Sequence, residues 1–267
     1  MVISSKGNQI VKNLVLLRDR GRARREQGLF AAEGLRMFRE VPSGWLRDVY
    51  VTERFLAEHE ALVREKANGC RVTVLSDAVF SHVSDTKTPQ GVLCVLAMPE
   101  AVIPLDGEPL VLVLEGIQDP GNLGTLFRSA EGAGAAGVLM DTSCADIFSP
   151  KSVRATMGSI FRVPFQVSQD LPGDIARMKQ DGIQICAAYL SGSICYDVPD
   201  YTKGTAILIG NEGSGLKQET AALADQCIRI PMEGQLESLN AAVSGSILLY
   251  EANRQRRSKK ADEIDTL

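Results

Sequence analysis

Histidine is scarce in this chain: there are two, His59 and His82, among 267 residues. The six cysteines (Cys70, Cys94, Cys144, Cys186, Cys195 and Cys227) are scattered, and no two stand at C-x-x-C spacing. These absences exclude the common zinc patterns and a disulfide framework, so no metal is expected and the thiols read as small, reduced core residues. No apolar run approaches the ~18 residues of a membrane-spanning helix, so no membrane partner is expected. The opening stretch MVISSKGNQIVK lacks the apolar core of a secretion signal, which predicts a cytoplasmic protein. Two nucleotide signatures are also missing. GNEGSG (210–215) lacks the Lys-Ser/Thr of a phosphate loop, and GIQDPGNLG (116–124) lacks G-x-G-x-x-G spacing, which argues against a nicotinamide-dependent oxidoreductase.

What is present is an ordinary globular composition, 45% hydrophobic and 23% charged, long enough for one large domain or two small ones. The charge is unevenly spread. Residues 1–40 carry nine Lys or Arg against four acids, a net +5, which leaves −9 on the remainder of a chain whose total is −4. One end is therefore suited to a polyanion, although a solvated helix face explains the same count. Basic amphipathic helices are predicted over 9–27 and 33–40, strands over 47–52, 71–75 and 91–97, and helical stretches near 54–67 and 76–83. This first α/β module spans 1–97. The Pro- and acid-rich segment 98–109 reads as a linker.

The pattern then restarts over 110–257. LVLVLE (110–115) is the continuous apolar run of a buried parallel strand. A helix over 122–132, a strand over 137–141, a helix opened by Ser149 and Pro150, and strands over 183–190 and 205–210 follow. A helical stretch at 216–224, a short strand at 227–232 and a last helix from Ser238 to about residue 256 complete the module. Residues 258–267 form a charged tail. Strands alternating with helices predict an α/β fold with a parallel sheet flanked by helices. Ligands bind such sheets at the carboxyl ends of the strands. Three glycine-bearing loops sit at predicted strand ends: 115–134, 208–216 and 230–245. Taken singly, each also reads as ordinary turn geometry or close helix packing. The carboxylate of Glu212 in the second loop favours a neutral or cationic ligand over a phosphate.

Taken together, the loops resemble the SpoU (TrmH-type) branch of the SPOUT RNA 2′-O-ribose methyltransferases. The first carries Asn122 and Arg128 at that family's six-residue spacing, the second Gly-Asn-Glu-Gly at 210–213, and the third Ser-Leu-Asn at 238–240 after Pro231. SPKSVRATMGSIFRVP (149–164) is also similar to a family segment, and RREQGLFAAEG (24–34) resembles the family's L30e-like RNA-binding domain. One departure is the small-residue run Ala241, Ala242, Val243, Ser244, where many members have Val-Ser-Val-Ala.

The resemblance implies a C-terminal SPOUT α/β-knot with a deep trefoil knot, a smaller N-terminal L30e-like domain, and a homodimer. It implies methyl transfer from S-adenosylmethionine to a ribose 2′-hydroxyl of RNA. The two-domain layout leans toward 23S rRNA; a tRNA enzyme, or a non-catalytic RNA-binding or assembly protein, is the alternative. By the same resemblance, Leu208, Gly210, Asn211, Gly213, Ile230, Met232 and Leu239 hold the cofactor, and Asn122, Arg128, Glu212, Ser238 and Asn240 form the catalytic set. Arg18, Arg22, Arg25, Arg36 and Arg154 are candidate RNA contacts. Arg128, set among Leu126, Phe127 and Ala130, is expected to meet a phosphate of the target nucleotide and to lower the 2′-hydroxyl pKa through its charge. Asn122 and Asn240 are expected to orient the ribose and Arg128, with Ser238 and Glu212 as hydrogen-bonding partners.

Overall fold

The structure is a computed structural model and describes residues 2–100, 102–236 and 238–265. The first part runs β1 (Val2–Ile3), α1 (Gln9–Asp19), α2 (Gly21–Gln27), β2 (Leu29–Glu33), α3 (Leu35–Glu40), β3 (Leu46–Thr52), α4 (Glu53–Glu58), α5 (Glu60–Lys66), β4 (Arg71–Leu75), α6 (Asp77–Val83) and β5 (Val92–Ala97). The second runs β6 (Leu110–Leu114), α7 (Pro120–Ala133), β7 (Gly137–Asp141), α8 (Pro150–Ala155), β8 (Phe165–Ser168), α9 (Leu171–Gln180), β9 (Gln184–Ala188), β10 (Ile194–Cys195), β11 (Thr205–Ile209), α10 (Gln218–Ala221), β12 (Gln226–Arg229) and α11 (Ala241–Asp265). Among the described residues no helix is long and apolar enough to cross a membrane.

Two compact units result. One comprises Met1–Glu100 with Asp146–Phe161, the other Ala101–Ala145 with Arg162–Leu267. The first unit thus reclaims a segment that the sequence pattern places in the second module. The reason lies in contacts to residues far earlier in the chain. Phe148 lies 5.0 Å from Phe30, Phe161 lies 5.7 Å from Trp45, and Asp146 accepts from the buried Arg24 guanidinium at 2.5 Å.

The first unit is built on a mixed sheet of order β1-β4-β3-β5-β2, in which β5 runs antiparallel to both β3 and β2. The α1 residues Val11, Leu14 and Leu17 pack on it with Tyr50, Phe80, Leu93 and Val95. The single helix predicted over 9–27 is two helices. Its break at Arg20 is held by Arg24, which donates to the α1 carbonyls of Leu17 at 2.6 Å and Arg18 at 3.0 Å.

The second unit is a seven-stranded, all-parallel sheet of order β10-β12-β9-β11-β6-β7-β8. β11 enters between the earlier β9 and β6, and β12 enters between the earlier β10 and β9. Ala206 and Leu208 of β11 face a core that includes Val111, Val113, Ile175 and Met178. On the opposite face Ile209 meets the α7–α11 pair. A side chain at Gly245 of α11 would collide with Leu126 of α7, and Ser129 and Ser246 share a hydrogen bond of 2.7 Å. The last helix begins at Ala241 and runs to Asp265, so most of the predicted tail is helical; its final two residues, 266–267, lie outside the described residues.

Candidate active site

The registered pairs Ile209–Leu114 and Leu208–Ala187 bring the carboxyl ends of β6, β9 and β11 to one edge of the parallel sheet. The turn after β6 needs a left-handed residue, and Gly116 supplies it at φ 70°. Asp119 then caps α7, its Oδ1 accepting from Asn122 N–H at 2.9 Å, and Pro120 takes the first turn, where its missing N–H is harmless. The loop after β11 folds back on itself. Asn211 and Gly215 exchange backbone hydrogen bonds of 3.1 and 3.0 Å, and Asn211 Oδ1 accepts from Gly213 and Ser214 N–H at 2.9 and 3.0 Å. Asn211 Nδ2 donates to Gly116 O at 2.7 Å and so ties this loop to the first.

One chain of hydrogen bonds joins all three loops. Asn240, rather than Ser238, caps α11: its Oδ1 accepts from Ala242 N–H at 2.9 Å and Val243 N–H at 3.2 Å. Its amide nitrogen therefore faces outward and donates to Asn122 Oδ1 at 3.0 Å. With its oxygen so engaged, Asn122 turns its own Nδ2 to Glu212 Oε1 at 3.0 Å. Glu212 also accepts from the backbone N–H groups of Gln118 at 3.1 Å and Asp119 at 3.0 Å. The helix cap fixes the orientation of every amide down the line, and the line ends on a group that must be all acceptor.

That requirement sets the charge state. Burial alone raises the Glu212 carboxyl, but hydrogen bonds from Asn122, Asp119 and Gln118 outweigh it and hold the group below the usual carboxylate range. The network is therefore complete above the unfolded value of about 4.3 and is lost as pH falls through the lower folded value. Affinity for a ligand held beside this network, measured by calorimetry, is expected to hold while Glu212 is ionised and to fall as pH drops through its lowered value. Glu212→Gln is expected to weaken affinity at every pH, because one end of the amide becomes a donor facing the Gln118 or Asp119 N–H.

Beside the network lies a cavity of about 490 Å³, within the range of small-molecule sites. Ile209, Leu216, Ile228, Met232, Leu239 and Leu248 give it an apolar wall, and Gly210, Asn211, Glu212, Gly213, Ile230 and Ser238 also line it. The backbone N–H groups of Ile230 and Met232 donate to no other described residue. Apolar walls, idle backbone donors, the Glu212 carboxylate and Arg229, which also lines the cavity, fit a nucleoside carrying charges of both signs. The residues present thus suit S-adenosylmethionine.

Some expected site residues sit elsewhere. Leu208 does not line the cavity. It is fully buried in the sheet core, because side chains alternate along a strand and Ile209 takes the wall position. Arg128 is not buried among apolar neighbours. With Thr125 it lies on the exposed stripe of α7, and its guanidinium makes no hydrogen bond or ion pair among the described residues. The wall residues Tyr189, Leu190 and Ser191 follow β9 in a short loop whose single glycine, Gly192, is too weak a signal to mark it beside the other three. Among the described residues no cluster of three or more His, Cys, Asp or Glu is placed to hold a metal ion.

In the first unit, four of the five expected RNA contacts are already engaged. Arg18 binds Asp19 at 2.7 Å and the carbonyls of His82 and Ser84, Arg22 pairs with Glu26 at 2.7 Å, Arg36 with Glu40 at 3.2 Å, and Arg154 with Asp85 at 2.7 Å. Arg25 is exposed and unpaired among the described residues, as are Lys12 and Arg20, which the sequence alone does not single out.

Residues 109–250 match a family model described as the SpoU rRNA Methylase family, and residues 8–94 match one described as the MRM3-like substrate binding domain. The chain is 32% identical over 249 residues to the 23S rRNA (guanosine(2553)-2′-O)-methyltransferase RlmP of Bacillus subtilis, covering 93% of this chain and 97% of that protein. An AdoMet-bound rRNA methyltransferase from Sinorhizobium meliloti superimposes with a TM-score of 0.83 at 31% identity, covering 95% of this chain and 97% of the other. The SpoU methyltransferase AviRb from Streptomyces viridochromogenes, in complex with the cofactor AdoMet, also gives 0.83, at 29% identity over 94% of this chain and 100% of its own.

Proposed function

Since the chain belongs to the SpoU rRNA methylase family, we propose that it transfers a methyl group from S-adenosylmethionine to a ribose 2′-hydroxyl of 23S ribosomal RNA. The observation that carries this reading is the hydrogen-bonded line Asn240–Asn122–Glu212, which gathers three separated loops beside a cavity suited to that cofactor. The names of the full-length relatives support ribosomal over transfer RNA, and the reaction belongs in the cytoplasm. Mapping 2′-O-methyl groups in ribosomal RNA from cells with and without the gene tests it. One position losing its methyl group is the expected result, and an unchanged map rejects the reading.

Bound in the cavity, the sulfonium supplies an electrophilic methyl group. The protein's part is to hold two reactants in line and to stabilise charge on the attacking oxygen. Gly210, Asn211, Gly213, Ile230, Met232 and Leu239 hold the cofactor. Asn122 and Asn240 present a fixed amide array to the ribose, kept rigid by Glu212, and Ser238 contributes a hydroxyl at the cavity rim. Arg128, exposed and unpaired, takes a phosphate of the target nucleotide in a two-pronged grip. A guanidinium keeps its proton at accessible pH, so Arg128 acts through its charge and the hydroxyl proton departs to solvent.

The exposed Val243 and Tyr250 on α11 support a homodimer formed through the second unit. The late entry of β11 and β12 into the sheet supports a knotted path. RNA affinity falls to the first unit, with Lys12, Arg20 and Arg25 among its exposed cations that pair with no described residue. Reversing all three to Glu is expected to weaken binding and to lower its salt slope by about one for each phosphate no longer neutralised. Arg22→Ala and Arg36→Ala, which remove cations already neutralised by Glu26 and Glu40, are expected to change binding less in the same filter assay.

A further inference from the structure

A buried carboxylate lies beside the cavity without lining it. Glu115, at the end of β6, is 4% exposed. Its Oε2 accepts from Lys217 N–H at 2.8 Å and its Oε1 from Thr220 Oγ1 at 2.6 Å, with Lys217 Nζ at 3.5 Å. Its own backbone N–H donates to Ile209 O at 2.9 Å. One residue therefore grips both the entry (Ile209) and the exit (Lys217) of the loop that walls the cavity. The doubled-back loop needs such a grip. Gly210 lies so close to Gly215 and Leu216 that any side chain there would strike their backbone.

We propose that Glu115 is a positioning residue for S-adenosylmethionine, acting through Lys217 and Thr220 to hold residues 210–216 in their cofactor-binding shape. It touches neither cofactor nor reacting atoms. The inference rests on the reading that this cavity takes S-adenosylmethionine. Burying a carboxylate is costly unless its oxygens are satisfied, and here both accept from a single short segment. A carboxylate accepts at both oxygens, whereas an amide would turn an N–H toward one of these donors. The Lys217 ammonium is largely exposed and plays the smaller part.

The test uses the full chain with Glu115→Gln, Thr220→Val, Thr220→Ser and Lys217→Met. Calorimetry gives cofactor Kd, steady-state assays give KM and kcat, and hydrogen exchange of residues 210–217 is read in the free protein. Glu115→Gln and Thr220→Val are expected to raise Kd and KM for the cofactor by about tenfold and to speed loop exchange. At saturating cofactor kcat should hold, and Thr220→Ser and Lys217→Met should match wild type. The proposal is overturned if loop exchange and Kd stay at wild-type values in both impaired variants. It is equally overturned if kcat falls while KM holds, or if serine at 220 performs no better than valine. Should Glu115→Gln fail to fold, the Thr220 pair decides alone. Exchange in the free protein needs no cofactor, so it judges the clamp even if the wild-type chain binds none, a result that would instead remove the proposed function.

Discussion

Arg128→Ala is expected to lower kcat/KM for ribosomal RNA methylation by about 10²–10³-fold, the loss typical of removing one charge-stabilising group, while S-adenosylmethionine binds as before. The structure makes this a clean experiment. Arg128 lies on the exposed stripe of α7 and donates to no described residue, so truncation orphans no partner and opens no core. Leu126 and Phe127, its fully buried neighbours, carry the packing of that helix. Arg128→Lys keeps the charge and loses the planar fork, so it should recover only part of the activity. Assays with saturating cofactor and a parallel RNA-binding titration separate the two contributions. Full activity and undiminished RNA affinity in the lysine variant would remove the two-pronged phosphate grip from the mechanism.

Gly210→Ala should act on the cofactor instead, weakening S-adenosylmethionine by about 10- to 100-fold. The added methyl group would sit on the backbone of Gly215 and Leu216, and no side-chain rotation relieves a backbone collision. Leu216 is itself locked in the sheet core, so the loop must open rather than shift. Overpacking of this kind costs about 1–3 kcal/mol, and each 1.4 kcal/mol is tenfold in affinity. Gly213→Ala is the control. A methyl there meets only Asn211 Oδ1, at 3.6 Å, an ordinary contact, so its loss should be smaller. Calorimetry on the two variants, with thermal unfolding alongside, checks the ordering. Equal affinities would mean that the tight fold of this loop is irrelevant to binding.

The sequence discloses those elements whose signal is local. β6 and β11 announce themselves as unbroken apolar runs, and α8 by Ser149 and Pro150 at its start. α9 is hidden by Pro172 and Gly173, which look like breakers yet fall in a first turn capped by Asp170, where proline is tolerated. β8 and β10 have four and two residues, too short for a period to show. The placement of 146–161 depends on Phe30, Trp45 and Arg24, more than a hundred residues away, and nothing within the segment reveals it.

At the site, the residue types and their loops are legible and the geometry is not. The spacing of Asn122 and Arg128 says nothing of an amide line running from a helix cap to Glu212. Glu115 stays hidden because it closes an apolar run and looks like the first polar residue of a loop. The arginines teach the opposite lesson. Arg22–Glu26 and Arg36–Glu40 stand four apart on helices, so their neutralisation can be read from spacing. Counting charge over forty residues conceals it.

The order of the seven-stranded sheet bears on how the protein is born. When a ribosome has delivered β9, that strand has no neighbour: both of its partners, β11 and β12, are still untranslated. β6 meanwhile keeps one flank bare until β11 arrives. A nascent chain halted short of residue 205 therefore displays open strand edges, the kind that pair wrongly with other chains. Premature stops in this stretch should yield sticky fragments in place of a smaller working enzyme, and the half-made molecule has reason to be shielded until its last quarter emerges.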